Sequence, residues 1–229
     1  MKNLLIIPLL LMLNLAFSQD NPPNKFLFDG EKLSLSTFYV EIAPTTAWDN
    51  LESVFGQSFL IEGGIHINRK FVIGLYSASS KKSNQIPVPA EGTPEYQTWI
   101  DNGLRIDQLS PDAEVAFLNF NHSGLNLGYL LQPEKTVFYR ANLKFGVGKL
   151  EITPQQQTFY NIFNDPIYSI KFTNINPEFG IGLNLRPWWR LFADVGYRFI
   201  LGASEEIKAP STLQGLTLKF GFGFGAFNR

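Results

Sequence analysis

The stretch Leu213–Phe227 reads LQGLTLKFGFGFGAF and decides the fold of this chain. Its apolar residues occupy every second position, which is the period of a β-strand and not of a helix. The opposite face carries Thr217, Lys219 and glycines, and such a face suits a narrow, curved, closed sheet better than an open surface. We therefore predict a barrel strand here. Its apolar set is Leu216, Leu218, Phe220, Phe222 and Phe224.

The other end of the chain predicts export. Met1–Ser18 contains Lys2, an apolar run and the small-residue ending that precedes a signal-peptide cleavage site. The alternative is a transmembrane anchor, but a helix needs about 20 apolar residues to span a bilayer. This run is shorter and contains Pro8 and Asn14. We predict a cleaved signal peptide over residues 1–18.

Composition excludes several classes of function. The chain has no cysteine, so it has no disulfide framework, thiolate metal site, cysteine nucleophile or lipoprotein attachment point. A net charge of -1, from 19 basic and 20 acidic residues, gives no indication of nucleic-acid binding. We predict neither a cofactor nor a metal site.

The mature region divides into alternating stretches of the length expected for barrel strands, about ten residues or more each. We predict a short N-terminal periplasmic segment over residues 19–31 and an outer-membrane β-barrel over residues 32–229. The eight predicted strands are Lys32–Ala43, Gln57–Asn68, Lys70–Ser79, Glu114–Leu131, Thr136–Ile152, Ser169–Leu185, Arg190–Gly202 and Leu213–Phe227.

The connections between these strands alternate in length, which is typical of outer-membrane barrels. The fold class predicted is all-β, an eight-stranded antiparallel up-and-down transmembrane β-barrel with short periplasmic turns and long extracellular loops. The short connections are 68–70, 132–135 and 186–189, and the long ones are 44–56, 80–113, 153–168 and 203–212.

Charged and amide side chains recur in the middle of the strands, always on one face. A soluble barrel would turn this face outward, whereas a barrel in lipid turns it inward. A soluble, ligand-carrying barrel of the lipocalin type is the alternative that this inversion argues against. The predicted inward set is Glu62, His66, Asn126, Arg140, Asn142, Lys144, Glu178, Asn184, Asp194, Arg198 and Lys219.

An eight-stranded barrel is filled by its own side chains, and buried charges have to be paired or hydrogen-bonded. We therefore predict a lumenal charge network that forms a polar plug. Alternatively, these charges only keep the lumen wettable. The predicted network consists of the acids Glu62, Glu178 and Asp194 and the bases Arg140, Lys144, Arg198 and Lys219.

Two strands break the alternation. In the first, Leu35 and Tyr39 have one parity while Phe38 and Val40 have the other. In the fourth, the period changes near His122-Ser123-Gly124. A β-bulge would shift the parity at either place, and a segment above the membrane is the other explanation for the first strand.

The chain resembles small eight-stranded outer-membrane proteins of the OmpA-barrel and OmpX kind. The segments 189–199 (WRLFADVGYRF) and 216–221 (LTLKFG) also look like a group of exported barrel proteins without assigned function. This resemblance implies a Gram-negative outer-membrane location and assembly by the barrel insertion machinery, which reads a terminal aromatic residue. Here that residue is Phe227, although Asn228 and Arg229 follow it.

One pair of residues raises the possibility of an enzyme. Some small outer-membrane barrels are lipid-A deacylases or phospholipases that use serine, histidine and a carboxylate. His122 and Ser123 are adjacent, however, and adjacent strand residues point to opposite faces. His66 lies four residues from Glu62, about 13 Å along a strand, so the two side chains do not touch, and we predict a lumenal hydrogen bond for His66 rather than a metal site. Our main prediction is a non-enzymatic barrel.

The second long loop is the predicted interaction site. Thr93, Pro94 and Glu95 predict the start of a short helix and Gly103 its end. The helix would bring Tyr96, Trp99 and Ile100 together, either to dock a partner, a glycan or lipopolysaccharide, or to cap the barrel mouth. The predicted partners are thus outer-membrane lipid, lipopolysaccharide, the assembly machinery and an extracellular molecule of unknown identity, with the chain as a monomer. Trp188 and Trp189 fit the periplasmic aromatic belt.

Overall fold

The computed structural model describes residues 35–49, 55–80, 85–101, 103–106, 109, 113–154, 166–202 and 214–227. The predicted signal peptide and the predicted segment 19–31 lie outside these residues. The elements are β1 (Leu35–Asp49), β2 (Phe55–Ile67), β3 (Phe71–Ser80), β4 (Gln85–Pro87), α1 (Pro94–Asp101), β5 (Val115–Leu131), β6 (Val137–Thr153), β7 (Tyr168–Arg186), β8 (Trp189–Leu201) and β9 (Gly215–Gly225).

Eight antiparallel strands form a closed barrel. Each barrel strand pairs with the next along the chain, β1 pairs with β9, and β3 pairs with β5 across the connection that contains β4 and α1. This confirms the predicted eight-stranded, up-and-down architecture. The three-residue strand β4 was not predicted, and it pairs with the first residues of β5, Val115–Phe117.

The turns at one end of the barrel are tight, as predicted. Asn68 and Arg69 have φ values of 50° and 58°, and the N–H of Lys70 donates to the carbonyl of Ile67 at 3.1 Å. The connection between β2 and β3 thus has three residues, and positive φ at both central residues of the turn gives it a twist that matches that of the strands. β7 and β8 are joined by two residues, Pro187 and Trp188.

The predicted long loop 44–56 is wrong. β1 continues to Asp49 and β2 begins at Phe55, with Pro44 paired to Phe59 inside the hairpin. Proline lacks the N–H that a ladder needs, and the β1–β9 pairing is accordingly interrupted between Ile42 and Thr45. This short interruption of the β1–β9 pairing does not end β1, because β1 remains paired with β2 on its other side.

The exterior of the barrel is apolar and the interior is polar, which confirms the predicted orientation of the faces. Outward positions are filled by exposed Ile, Leu, Val and Phe, whereas Glu62, Lys144 and Lys219 are almost fully buried inside. A soluble protein has the reverse distribution. Exposed apolar side chains on every barrel strand include Phe38, Ile61, Leu75, Leu127, Phe145, Phe179, Val195 and Phe220.

The first parity change is a β-bulge, as predicted. The β1–β2 register shifts between Leu35 and Thr37, so Leu35 is 67% exposed while Thr37 is buried. Beyond this point the inward positions of β1 continue with Tyr39 and Glu41.

The bulge predicted at His122-Ser123-Gly124 is wrong. β5 keeps a continuous register with β6 from Phe117 to Leu131. What changes is the chemistry of the two faces: Leu125 is outward and exposed, whereas Phe120 is inward and buried. The strand passes from lipid into water, where an apolar interior is again favourable.

The neighbouring strand β6 shows the same reversal. Val147 faces outward and is 66% exposed, whereas the next outward residue is Lys149, and Leu150 and Ile152 are buried inside. The upper parts of these strands therefore form a water-facing extension of the barrel. No helix among the described residues is long and apolar enough to cross a membrane.

Candidate functional site

The lumen holds a network of ion pairs at mid-height. Lys144 and Lys219 contact Oε2 of Glu178 at 2.5 and 2.7 Å. Lys219 also contacts Oδ2 of Asp194 at 2.8 Å, and Lys144 lies 3.3 Å from Oε2 of Glu62. All five side chains are buried, so each ammonium bridges two carboxylates that water does not screen.

Arg140 extends this network to the first strand. Its Nη1 and Nη2 donate to the two carboxylate oxygens of Glu41, both at 2.8 Å, and its Nε lies 3.3 Å from Oδ1 of Asp194. The guanidinium also lies 4.4 Å from the ring centre of Phe192. A bidentate pair of this kind is among the strongest charge-assisted contacts in proteins. The network therefore runs from β1 across β6, β8 and β9 to β7 and β2.

Neutral side chains complete the coordination of Glu62. Tyr39 donates its hydroxyl to Oε1 at 2.7 Å, and the Asn126 amide donates to the same oxygen at 2.5 Å. On the opposite wall, Asn176 donates to Oε1 of Glu178 at 3.0 Å. Such bonds offset the cost of removing carboxylates from water, which ion pairing alone does not always repay.

The structure brings six of the seven predicted network residues into one chain of ion pairs: Glu62, Arg140, Lys144, Glu178, Asp194 and Lys219. Arg198 instead lies 4.4 Å from the ring centre of Phe120, nearer the loop end. Sequence reasoning missed Glu41 and Arg190. The parity of Thr37 and Tyr39 would have identified Glu41 once the bulge at residue 36 was placed.

The turn-side end of the barrel is filled by the end of the described chain. Phe227 is buried, its N–H donates to the carbonyl of Pro187 at 2.8 Å, and its ring lies 3.8 Å from the guanidinium of Arg190. His66 stacks on Tyr39 with ring centres 4.8 Å apart. Val72, Leu130 and Phe138 complete this cluster.

An apolar cluster fills the loop-side end. It consists of inward residues of the extended strands together with residues from the segment that follows α1. Leu104 and Leu109 of that segment are buried in it, and Phe120 and Phe172 stack with ring centres 4.8 Å apart. The remaining buried members are Ala116, Leu118, Leu150, Ile152, Ile167 and Ile200.

The predicted helix in the second long loop is present and lies beside this cluster. Thr93 Oγ1 accepts from the N–H of Tyr96 at 3.2 Å, and the helix ends before Gly103, which has a φ of 76°. Trp99 packs against the apolar cluster, Tyr96 is half-buried, and Ile100 is 44% exposed. We call α1 together with Leu104 and Leu109 the cap, because these residues cover the apolar cluster at the barrel mouth. Of the three predicted loop residues, Trp99 therefore belongs to the packed side of the cap, while Ile100 faces solvent.

The structure does not assemble the candidate catalytic pair. The ring of His122 is buried inside the barrel, with its centre 5.0 Å from that of Phe120 and 5.5 Å from that of Tyr76. Ser123 is exposed on the outer face of the same strand. Among the described residues there is no group of three or more His, Cys, Asp or Glu side chains able to hold a metal ion.

A closed eight-stranded barrel with an apolar exterior and a charged interior is a small transmembrane β-barrel of the bacterial outer membrane. Its fold is similar to that of Neisserial surface protein A (NspA), with a TM-score of 0.51 and 13% identity over 86% of this chain and 99% of that one.

Two further solved structures show weaker similarity. Ail of Yersinia pestis, in complex with the heparin analogue sucrose octasulfate, has a TM-score of 0.44 and 14% identity over 82% of this chain and 96% of Ail. A major outer membrane protein from Thermus thermophilus has a TM-score of 0.44 and 12% identity over 82% of this chain and 98% of that one. No protein-family model and no curated protein matches the chain.

Proposed function

We propose that this chain is a non-enzymatic outer-membrane barrel whose lumen is sealed and whose extracellular part carries an interaction surface. The observation that carries the proposal is the filling of the lumen at three heights. Phe227 and Arg190 fill the turn side, the ion pairs around Glu178 fill the middle, and the apolar cluster with Leu104 fills the loop side.

The ion-pair layer supports a plug because its members reach across the barrel. Arg140 of β6 contacts Glu41 of β1, and Lys219 of β9 contacts Glu178 of β7. An ion in transit would have to displace these contacts, and separating one buried partner leaves an uncompensated charge that costs about 3–5 kcal/mol. Side chains that are so held together act as a structural core rather than as a selectivity filter.

The lengths of the strands support an extracellular role. β5 and β6 have 17 residues each and β7 has 19, whereas a transmembrane strand needs about 9–11. The surplus builds a water-facing extension with its own apolar core, on which α1 lies. This extension holds Ile100 and its neighbours on a rigid support, as a binding surface requires.

The conductance of the purified protein in planar bilayers tests the plug. We expect no stable conductance steps above those of a bilayer that received the same detergent without protein. Large, reproducible steps from the wild-type protein would contradict a sealed lumen.

A photo-crosslinking amino acid at position 100 tests the interaction surface in intact cells. Position 134 is the matched control, because Glu134 is also exposed but lies in a turn at the opposite end of the barrel. We expect adducts with a surface molecule from position 100 that position 134 does not give. Identical adduct patterns, or none from position 100, would contradict the proposal.

A further inference from the structure

Two lysines face each other on the outer surface of the barrel. Lys149 of β6 and Lys171 of β7 are directly paired in the ladder, and both are exposed. Like charges directly opposite each other destabilise a sheet. In the part of the chain that the structure describes, neither ammonium has a carboxylate within ion-pair distance. A negatively charged group bound between the two lysines would relieve this repulsion.

The lysine pair lies at the extracellular edge of the lipid-facing belt. Lys149 is the next outward residue after the exposed Val147, about 7 Å along the strand. On β7, Thr173 is the only outward residue between Lys171 and Ile175. The pair is therefore at the level of the head groups of the outer leaflet, because the hydrocarbon contacts end immediately below it.

The lysines line a surface depression of about 960 Å³ that extends over β3, β5, β6 and β7 and reaches the end of β8. Its wall carries hydroxyl and amide groups, and Ser79 donates to Oδ1 of Asn121 at 2.6 Å. Val147 and Leu201, both exposed, lie in the row of the depression nearest the lipid-facing belt, which they share with Ser77, Ser123 and Thr173. The other hydroxyl groups come from Ser77, Ser123 and Thr173.

The charge of the depression is positive. Glu151 also lines it, but one carboxylate balances only one of the two ammonium groups. Glu151 is the outward residue beyond Lys149, farther from the belt, and it pairs with Ser169 rather than with a lysine. The positive charge is thus concentrated on the side nearest the membrane.

We infer that this depression binds the phosphorylated head group of a glycolipid in the outer leaflet. The two ammonium groups would hold a phosphate through charge-assisted hydrogen bonds, the hydroxyl and amide groups would contact the sugar, and the acyl chains would lie along Val147 and Leu201. A lipid fits better than a soluble anion because the site adjoins the lipid-facing belt, and Val147 and Leu201 are exposed at that boundary. The inference is independent of whether the lumen conducts.

Native mass spectrometry of the purified full-length protein, released from detergent micelles, tests the site with bisphosphorylated lipid A as the probe. The double variant Lys149→Gln/Lys171→Gln removes both charges. Its matched control, Lys70→Gln/Lys135→Gln, removes two exposed lysines at the turn end of the barrel. We expect the double variant to retain the lipid at least about tenfold less than wild type, since two charge-assisted contacts are lost, and the control to bind normally.

Three results would overturn the inference. The first is equal retention of lipid A by the double variant and wild type, and the second is equal retention of lipid A from which the phosphates have been removed. The third is binding of inorganic phosphate as tight as that of the lipid, which would identify a site for a free anion.

The single variant Lys149→Glu distinguishes a binding role from a structural one. This variant places a carboxylate directly opposite the ammonium group of Lys171 in the ladder. We therefore expect the urea midpoint of unfolding to rise while lipid retention falls. A lysine pair with a purely structural role would give no such opposite changes. A midpoint that falls together with lipid retention would contradict the inference.

Discussion

Lys144 and Lys219 bind the same carboxylate oxygen, Oε2 of Glu178, from two different strands. Each lysine then contacts a second acid, Glu62 for Lys144 and Asp194 for Lys219. Glu178 is thus the point at which the two halves of the lumenal network meet. The network fills the interior of the barrel, as an apolar core does in a soluble protein. It consists of charged side chains because the apolar side chains face the lipid outside the barrel.

Removal of one shared ammonium should be costly. The variant Lys219→Met leaves Glu178 with one base and removes the closest base from Asp194, so we expect the free energy of unfolding to fall by about 3–5 kcal/mol. Urea unfolding followed by heat-modifiable gel migration measures this. Lys135→Met, at an exposed turn position, is the control and should leave the midpoint unchanged. Equal midpoints for the two variants would contradict a structural role for the network.

A glycine beside the network should not tolerate a methyl group. A Cβ at Gly180 would lie 1.8 Å from Oδ1 of Asp194, so Gly180→Ala has to displace this carboxylate from Arg140 and Lys219. We expect a loss of about 1–3 kcal/mol in stability, as for an overpacked core. Gly223→Ala is the matched control, since its nearest neighbour, a carbon of Glu41, is at 3.4 Å. A control as unstable as Gly180→Ala would refute the steric explanation.

The extracellular cap should open without unfolding of the barrel. Leu104 is buried in the apolar cluster, so Leu104→Ala should cost about 2–5 kcal/mol locally. The expected readout is faster proteolysis in the segment 85–113 of protein in liposomes, with an intact barrel core on gels. Ile100→Ala changes an exposed residue of α1 and should be cleaved like wild type. Cleavage of both variants at the wild-type rate would show that Leu104 does not hold the cap.

Phe227, the predicted signal for the assembly machinery, should contribute to stability. Its ring is buried beneath Arg190, and a truncation such as Phe227→Ala in a packed site costs about 3–5 kcal/mol. Equilibrium urea unfolding of protein refolded in detergent micelles, without the assembly machinery, separates the two roles. Phe224→Ala, on the lipid-facing side of β9, is the comparison and should cost less. A variant that only assembles more slowly in cells, with unchanged stability in micelles, would show that the ring is no structural plug.

The variant Ser123→Ala tests whether the outward serine is a nucleophile. We expect no change in the acylation of lipid A, measured by mass spectrometry of the outer membrane, because His122 lies on the opposite face of the strand. A change in acylation in this variant that is absent from a Ser77→Ala control on the neighbouring strand would support the alternative hypothesis of a lipid hydrolase.

The alternation of residues was sufficient to predict the barrel. In β9, Phe220, Phe222 and Phe224 are outward while Lys219 is inward, as the period of two requires. Most strand limits agree with the structure within a few residues, because strand and turn residues differ strongly in type. The inversion of faces also followed from charges that recur in mid-strand, such as Glu178 and Asp194.

Periodicity reports neither the environment of a strand, nor a bulge, nor the pairing and packing of distant segments, and each misjudged feature arises from one of these. At His122 the pattern changed because the solvent changed, although the strand continued without a bulge. In β1, the real bulge hid the inward parity of Glu41. Pro44 looked like the end of a strand, but pairing with β2 holds it within one. The contacts of Leu104 with the barrel mouth join segments distant in sequence, which no local pattern encodes.

The reversal of faces along β5, β6 and β7 fixes the depth at which the protein sits. A shift by one outward position, about 7 Å along a strand, would either pull Lys149 and Lys171 into hydrocarbon or expose Val147 to water. Either displacement is unfavourable, so this boundary sets the vertical position of the barrel in the membrane. Its extracellular surface therefore stands at a set height above the membrane, and anything that binds there meets it at that height.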